Sequence, residues 1–335
     1  NAKLISAVTI SSTGQRSEIS PGEINVMDAG WNASAKRYPG GKILVANLPD
    51  VDIGSTIEVE FEITATNRPF IADFESFQFP DELVAKSVEV TAPAGLKIHT
   101  QTSGKSAALK EQFKKSGGQQ TFTWTATNVP ALPHETQLPP EWIYNSGVNF
   151  FAGNVNDYYH GLEKTLLNRA EQNTQAAALA RQLTASATNR LDALKAIRDY
   201  VVQSIRLAGP GFTELPLANL SAADVTFADG YGHLADRAIL LHAMLTAAGF
   251  KPEFVLASSL PSVSEINKVA KSFPLPQDFE YPLVRVTVDG QAYYLNDTDQ
   301  YAKLGTTAHA NRLGLTPANG KITQIEPAKN CGEES

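Results

Sequence analysis

The sequence predicts an α+β protein, with a β-sandwich-like N-terminal domain followed by a mixed α+β domain. Three observations carry this. Residues 56–63, TIEVEFEI, alternate apolar and acidic side chains with period two, the mark of a strand with two unlike faces. Residues 190–205 instead repeat apolar side chains at helical spacing. Between these regions, at about residues 128–145, lies the proline-rich stretch NVPALPHETQLPPEW, which suits neither a helix nor a central strand.

Taken in order, GKILVANLP, STIEVEFEI, AKSVEVTAP, GLKIHT and QQTFTWTATNVP are short strand candidates separated by Gly and Pro, and TSGKSAALKEQFKKSGGQ reads as a loop or hairpin tip. After the proline-rich stretch, NDYYHGLEKTLLNRAEQ and NTQAAALARQLTAS read as helices. TNRLDALKAIRDYVVQSIRL is the best-marked helix, with Leu191, Leu194, Ile197 or Arg198, Val201 and Ile205 as its stripe. Thr188 or Asn189 caps it, and Asp192 puts a negative charge in its first turn. LAGPGFTELPLANLSAADVTFADGYG reads as a long irregular connection, and long connections in compact domains usually carry a function. A nearly all-apolar helix follows from Ala235 to Ala248 and stops at Gly249. KPEFVLASS, YPLVRVTVDG and QAYYLNDTD read as strands, the last two joined through Asp289-Gly290. Beyond Gly314 the periodicity is weak. The expected organisation is a β-rich domain at 1–135, an α+β domain at 136–315 and a tail at 316–335.

Composition narrows the function classes. The 335 residues, 42% hydrophobic and 19% charged, have a globular balance and enough length for two or three cores. Net charge is -7 with scattered Lys and Arg, which argues against a nucleic-acid partner. No stretch is apolar enough to span a bilayer, and NAKLISAVTI lacks the layout of a secretory signal. The single cysteine, Cys331, excludes an internal disulfide and a cysteine metal cluster, and it reads as an exposed, inert thiol in a polar tail. No cofactor is expected.

The C-terminal domain resembles the transglutaminase-like, papain-like superfamily, and the whole chain resembles bacterial proteins that join a DUF3857 domain to such a core. NLPDVDIGSTIEVEFEIT is similar to a strand region of DUF3857. LDALKAIRDYVVQSIR is similar to the helix before the catalytic loop. ADGYGHLADRAILLHAMLTAAGFKPEFVLAS is similar to the catalytic region, where members commonly read Gly-Asp-Cys-Lys-Asp-Lys-Ala, and FEYPLVRVTVDGQAYYLNDTDQ to the two strands with the remaining triad members.

The resemblance implies a Cys-His-Asp triad, and this chain departs from it at all three positions. Leu234 stands at the Cys position, with Gly232, Asp236 and Ala238 matching around it. Tyr281 stands at the His position within Phe279-Glu280-Tyr281-Pro282. Asn296 stands at the Asp position within Leu295-Asn296-Asp297-Thr298. A leucine has no lone pair to attack with, and a phenol, ionising near pH 10, is a poor base at neutral pH. Asparagine alone would be tolerable, because papain-like enzymes can orient their imidazole with one.

The resulting expectation is a catalytically inactive binding or structural module, with a degenerate triad and a peptide, protein or glycan in the cleft. The alternative is a peptidase, amidase or glycan-acting hydrolase built on the His233 region without a cysteine. Candidate ligand contacts are His233, Asp229, Asp236, Tyr231 and Tyr281, and their spacing matches no metal motif. Ser221 and Ser258-Ser259 lie outside any nucleophile-elbow context. His242 reads as a packed or capping side chain, the Tyr158-Tyr159-His160 run as core or interdomain packing in preference to a sugar-stacking surface, and Trp31, Trp124 and Trp142 as core anchors in preference to ligand platforms. A periplasmic or cell-envelope location is implied by the resemblance alone.

Overall fold

The period-two alternation of residues 56–63 is realised as a strand, and it sits in one of several small antiparallel sheets. The computed structural model describes residues 2–66, 70–104, 108–132 and 145–327. The proline-rich stretch from 133, Trp142 and Cys331 lie outside them.

The chain forms two compact units, residues 1–68 with 208–211, and residues 69–207 with 212–335. In the first, β1 (Ala2–Ile10) lies between β2 (Arg16–Glu18) and β5 (Thr56–Ile63), and β3 (Ile24–Asp28) pairs with β4 (Lys42–Ala46). Trp31 is half-buried here and meets Tyr38 edge-on.

The second unit opens with two three-stranded antiparallel sheets. In one, β6 (Ile71–Ser76) and β8 (Ile98–Ser103) flank β11 (Gly147–Ala152). In the other, β7 (Leu83–Pro93) and β9 (Lys110–Ser116) flank β10 (Gln119–Val129). Trp124 anchors the core here with Phe77, Val129 and Val148. The stretch expected to be a loop or hairpin tip therefore contributes a full strand, β9. Lys110–Ser116 is a polar strand whose pairing to β10 comes from the Gly117-Gly118 turn, both glycines at positive φ.

The helices follow: α1 (Val155–Ala170), α2 (Thr174–Thr184), α3 (Arg190–Ser204), α4 (Ala223–Asp229), α5 (Leu234–Ala247) and α6 (Ser264–Ser272). Asn189 caps α3, its side chain accepting from the Asp192 N–H at 2.8 Å. Leu194, Ile197 and Val201 are fully buried. In α1, Tyr158 and Tyr159 are buried, but His160 is exposed and so takes no part in the packing expected of it. The long connection before residue 232 also differs from the expectation. It holds α4, stopped by Gly230 in the left-handed conformation (φ 66°), and the short parallel pair β12 (Arg206–Leu207) and β13 (Tyr231–Gly232).

A five-stranded antiparallel sheet backs α5. Its order is β16 (Gln291–Leu295), β15 (Tyr281–Val288), β14 (Glu253–Ala257), β17 (Leu313–Thr316) and β18 (Lys321–Gln324). Asp289 and Gly290, both at positive φ, make the β15–β16 turn. The last two strands correct the expected tail. Leu313 and Leu315 are buried, and Gly314 lies where a Cβ would come within 2.8 Å of Val255 Cγ1.

Candidate functional site

The sheet and α5 bring three separated positions to one cavity. Leu234 is the first residue of α5, Tyr281 the first of β15, and Asn296 follows the last of β16. All three line a cavity of about 590 Å³, with Leu207, Leu283, Tyr294, Thr307, His309 and Arg312 among the other walls.

Asn296 is 5% exposed and holds a φ of 120°, a conformation that costs a non-glycine residue energy. Its Nδ2 donates to the carbonyl of Leu234 at 2.9 Å and to that of Pro282 at 2.7 Å. One amide thus ties the start of α5 to the start of β15. Its Oδ1 is buried without a hydrogen-bond partner among the described residues.

Behind Asn296, the guanidinium of Arg198, 3% exposed, binds both oxygens of Asp297, with Nε–Oδ2 at 3.2 Å, and also Asp199 at 3.0 Å. Arg237 donates from Nη2 to the Asp297 carbonyl at 3.0 Å. Burial pushes the Arg237 guanidinium down to about 10, against the pull of Asp297, so it stays a cation at neutral pH.

His309 comes from the loop between β16 and β17, and its ring lies 4.7 Å from that of Tyr281. Burial, with the nearby Arg312 cation, pushes this imidazole down to about 4, and its Nδ1 has no partner among the described residues. Local sequence gives no signal for it, because nothing about an irregular loop says which cleft it closes.

The other expected contacts fall elsewhere. His233 is 1% exposed and caps α5, its Nδ1 accepting from the N–H groups of Ala235 (2.9 Å) and Asp236 (3.3 Å). Asp236 is fully buried and accepts from the Ser221 N–H at 2.8 Å. The distance from His233 Nε2 to Asp236 Oδ1 is 3.9 Å, too long for a hydrogen bond between those two atoms. Both are helix-start structure and neither lines the cavity. Asp229 is exposed at the end of α4, and Tyr231 sits under the Arg206 guanidinium at 5.5 Å. Of the five candidate contacts only Tyr281 lines the cavity. His242 stacks on Phe254 at 4.4 Å, as packing predicts. Among the described residues no three His, Cys, Asp or Glu side chains are grouped to hold a metal ion. No helix among them is long and apolar enough to cross a membrane.

The sequence profile of a domain of unknown function with a solved structure, DUF3857, matches residues 1–133. The chain carries a DUF3857 domain. The remainder is a mixed α+β domain that resembles a papain-like, transglutaminase-like fold. A crystal structure from Parabacteroides distasonis ATCC 8503, described as that of a candidate protease, is similar over 97% of this chain at 18% identity with a TM-score of 0.76. At that identity the likeness bears on fold alone. This chain spans 62% of that protein's length. A second structure, described as a candidate cysteine protease from Cytophaga hutchinsonii, gives 9% identity and a TM-score of 0.32 over 78% of this chain and 89% of that one, too low to bear on the fold. No curated protein matches the chain. The DUF3857 match thus runs past residue 68, where the first compact unit gives way to the second.

Proposed function

We propose that this chain is a noncatalytic member of the transglutaminase-like fold, whose cleft holds a peptide, protein or glycan segment without forming a covalent bond to it. The observation that carries the reading is Leu234. It opens the central helix and lines the cavity, at the position that resembles the family's cysteine. A thiolate there would be favoured by the helix N-terminus, whereas a leucine side chain supplies only apolar surface. Asn296 supports the same reading, because its amide is committed to two backbone carbonyls. The cavity remains large enough for part of a ligand, with aromatic walls and the acceptor Asn296 Oδ1, which has no partner among the described residues.

The test is incubation of the protein with amine donors and glutamine-containing or other acyl substrates, followed by mass spectrometry for transfer or hydrolysis. No turnover above a protein-free control is expected, and Leu234→Trp should abolish ligand retention by filling the cavity. Turnover that survives replacement of Cys331 overturns the noncatalytic reading. The periplasmic or cell-envelope location belongs to this proposal too, and fractionation of the source cells checks it.

A further inference from the structure

The cavity beside Leu234 shares part of its wall with a second pocket. Leu207 and Thr298 line both the cavity and this pocket of about 340 Å³, whose walls also include Ser204, Arg206, Arg237 and Gln300. Among the described residues that wall contains two arginines and no Asp or Glu.

Arg237 follows Leu234 by three residues on α5, so the two share a helix face. It is 1% exposed, and its Nε and Nη1 have no hydrogen-bond partner among the described residues. The carboxylate whose charge acts on it, Asp297, already spends both oxygens on Arg198. A guanidinium is a five-donor group, and burying it with donors unmade and no carboxylate of its own is unfavourable. An anion arriving from the pocket would satisfy both needs. Arg206, exposed and lying over Tyr231, and Thr298 line the same wall, where both would reach the anion's outer oxygens.

We propose that this pocket is an oxyanion site. Arg237 receives a carboxylate or phosphate group of a ligand whose uncharged part passes over Leu207 toward Leu234 and Tyr281. The oxyanion site stands whether or not the cavity turns over a substrate; only the placement of the uncharged part rests on the noncatalytic reading.

The experiment is a thermal-shift titration of the whole protein at constant ionic strength, replacing chloride with acetate, hexanoate or inorganic phosphate. High phosphate stabilises proteins by exclusion from their surface, so the readout is a rise that saturates in the millimolar range. At least one oxyanion should give such a rise where chloride gives none. Hexanoate acting at lower concentration than acetate and phosphate identifies a carboxylate with an apolar tail, and phosphate acting lowest identifies a phosphate group. Arg237→Met should abolish the response, and Arg206→Gln or Thr298→Ala should move its midpoint about tenfold higher. If Arg237→Met does not fold, those two variants decide. The proposal is overturned if no oxyanion outperforms chloride, or if the response is unchanged in Arg237→Met, or in both other variants where that one does not fold. The turnover assay above is a separate measurement, so failure of either reading is visible without the other.

Discussion

Replacing Asn296 with Asp supplies the acid that the family resemblance implies at this position, and it should damage the protein. The wild-type Nδ2 donates to two backbone carbonyls, of Leu234 and Pro282, at 2.9 and 2.7 Å. An ionised carboxylate has nothing to donate and would face both oxygens with like charge. Each buried acceptor left unmade costs about 1–3 kcal/mol, so the pair costs about 4 kcal/mol before repulsion is added. At about 2–4 °C per kcal/mol for a domain of this size, Tm should fall by roughly 10 °C near pH 8. The carboxyl would resist ionising in the folded state, which raises its folded pKa above the unfolded value of about 3.9. Between those two values the folded state binds more protons, so stability relative to wild type falls as pH rises. The deficit is smallest below pH 4, where a protonated Asp still donates one bond, and complete above the raised pKa. Asn296→Ala loses both bonds at every pH. Melting curves of the three proteins from pH 4 to 8 separate these patterns. If Asn296→Asp melts within about 1 °C of wild type at pH 8, the amide is not tying α5 to β15 and the reasoning fails.

Two further predictions follow from the packing. Burial against Phe254 pushes His242 down to about 4, so between that value and the unfolded pKa near 6.5 the unfolded chain binds the extra proton and stability drops as pH falls; His242→Leu should remove about 3 kcal/mol of acid sensitivity from that window in pH-dependent denaturation, and an unchanged slope refutes it. At Gly314 an added methyl meets Val255 Cγ1 at 2.8 Å and Ile325 Cγ1 at 3.0 Å, so Gly314→Ala should cost about 1–3 kcal/mol by overpacking, read as a lower urea midpoint.

Legibility in the sequence followed the range of the interactions. The α3 helix was readable because its stripe and its Asn189 cap lie within a few turns of one another. The β15–β16 hairpin was readable because Asp-Gly encodes its turn locally. Strands β17 and β18 were not, being four residues each and held by pairing to a strand far upstream and by one glycine. Leu234, Tyr281 and Asn296 are singled out by a resemblance, which supplies long-range register that periodicity lacks, and all three line one cavity. A histidine beside a helix start looks available in the sequence, whereas the Nδ1 of His233 accepts from that helix's own first amides. Arg237 and His309 give no local signal, because what marks them is buried nitrogens without a partner among the described residues, and an unmade bond leaves no trace in a local pattern.

The five-stranded sheet places β14 at its centre, yet β14 gains its second neighbour only from residues 313–316. A ribosome that has released the central helix and the first hairpin has therefore delivered a half-clothed sheet, with the edge of β14 open to other chains. Burial of that edge waits for about twenty more residues, 296 to 316, to emerge, so vectorial synthesis leaves the assembly of this sheet to β17 and β18.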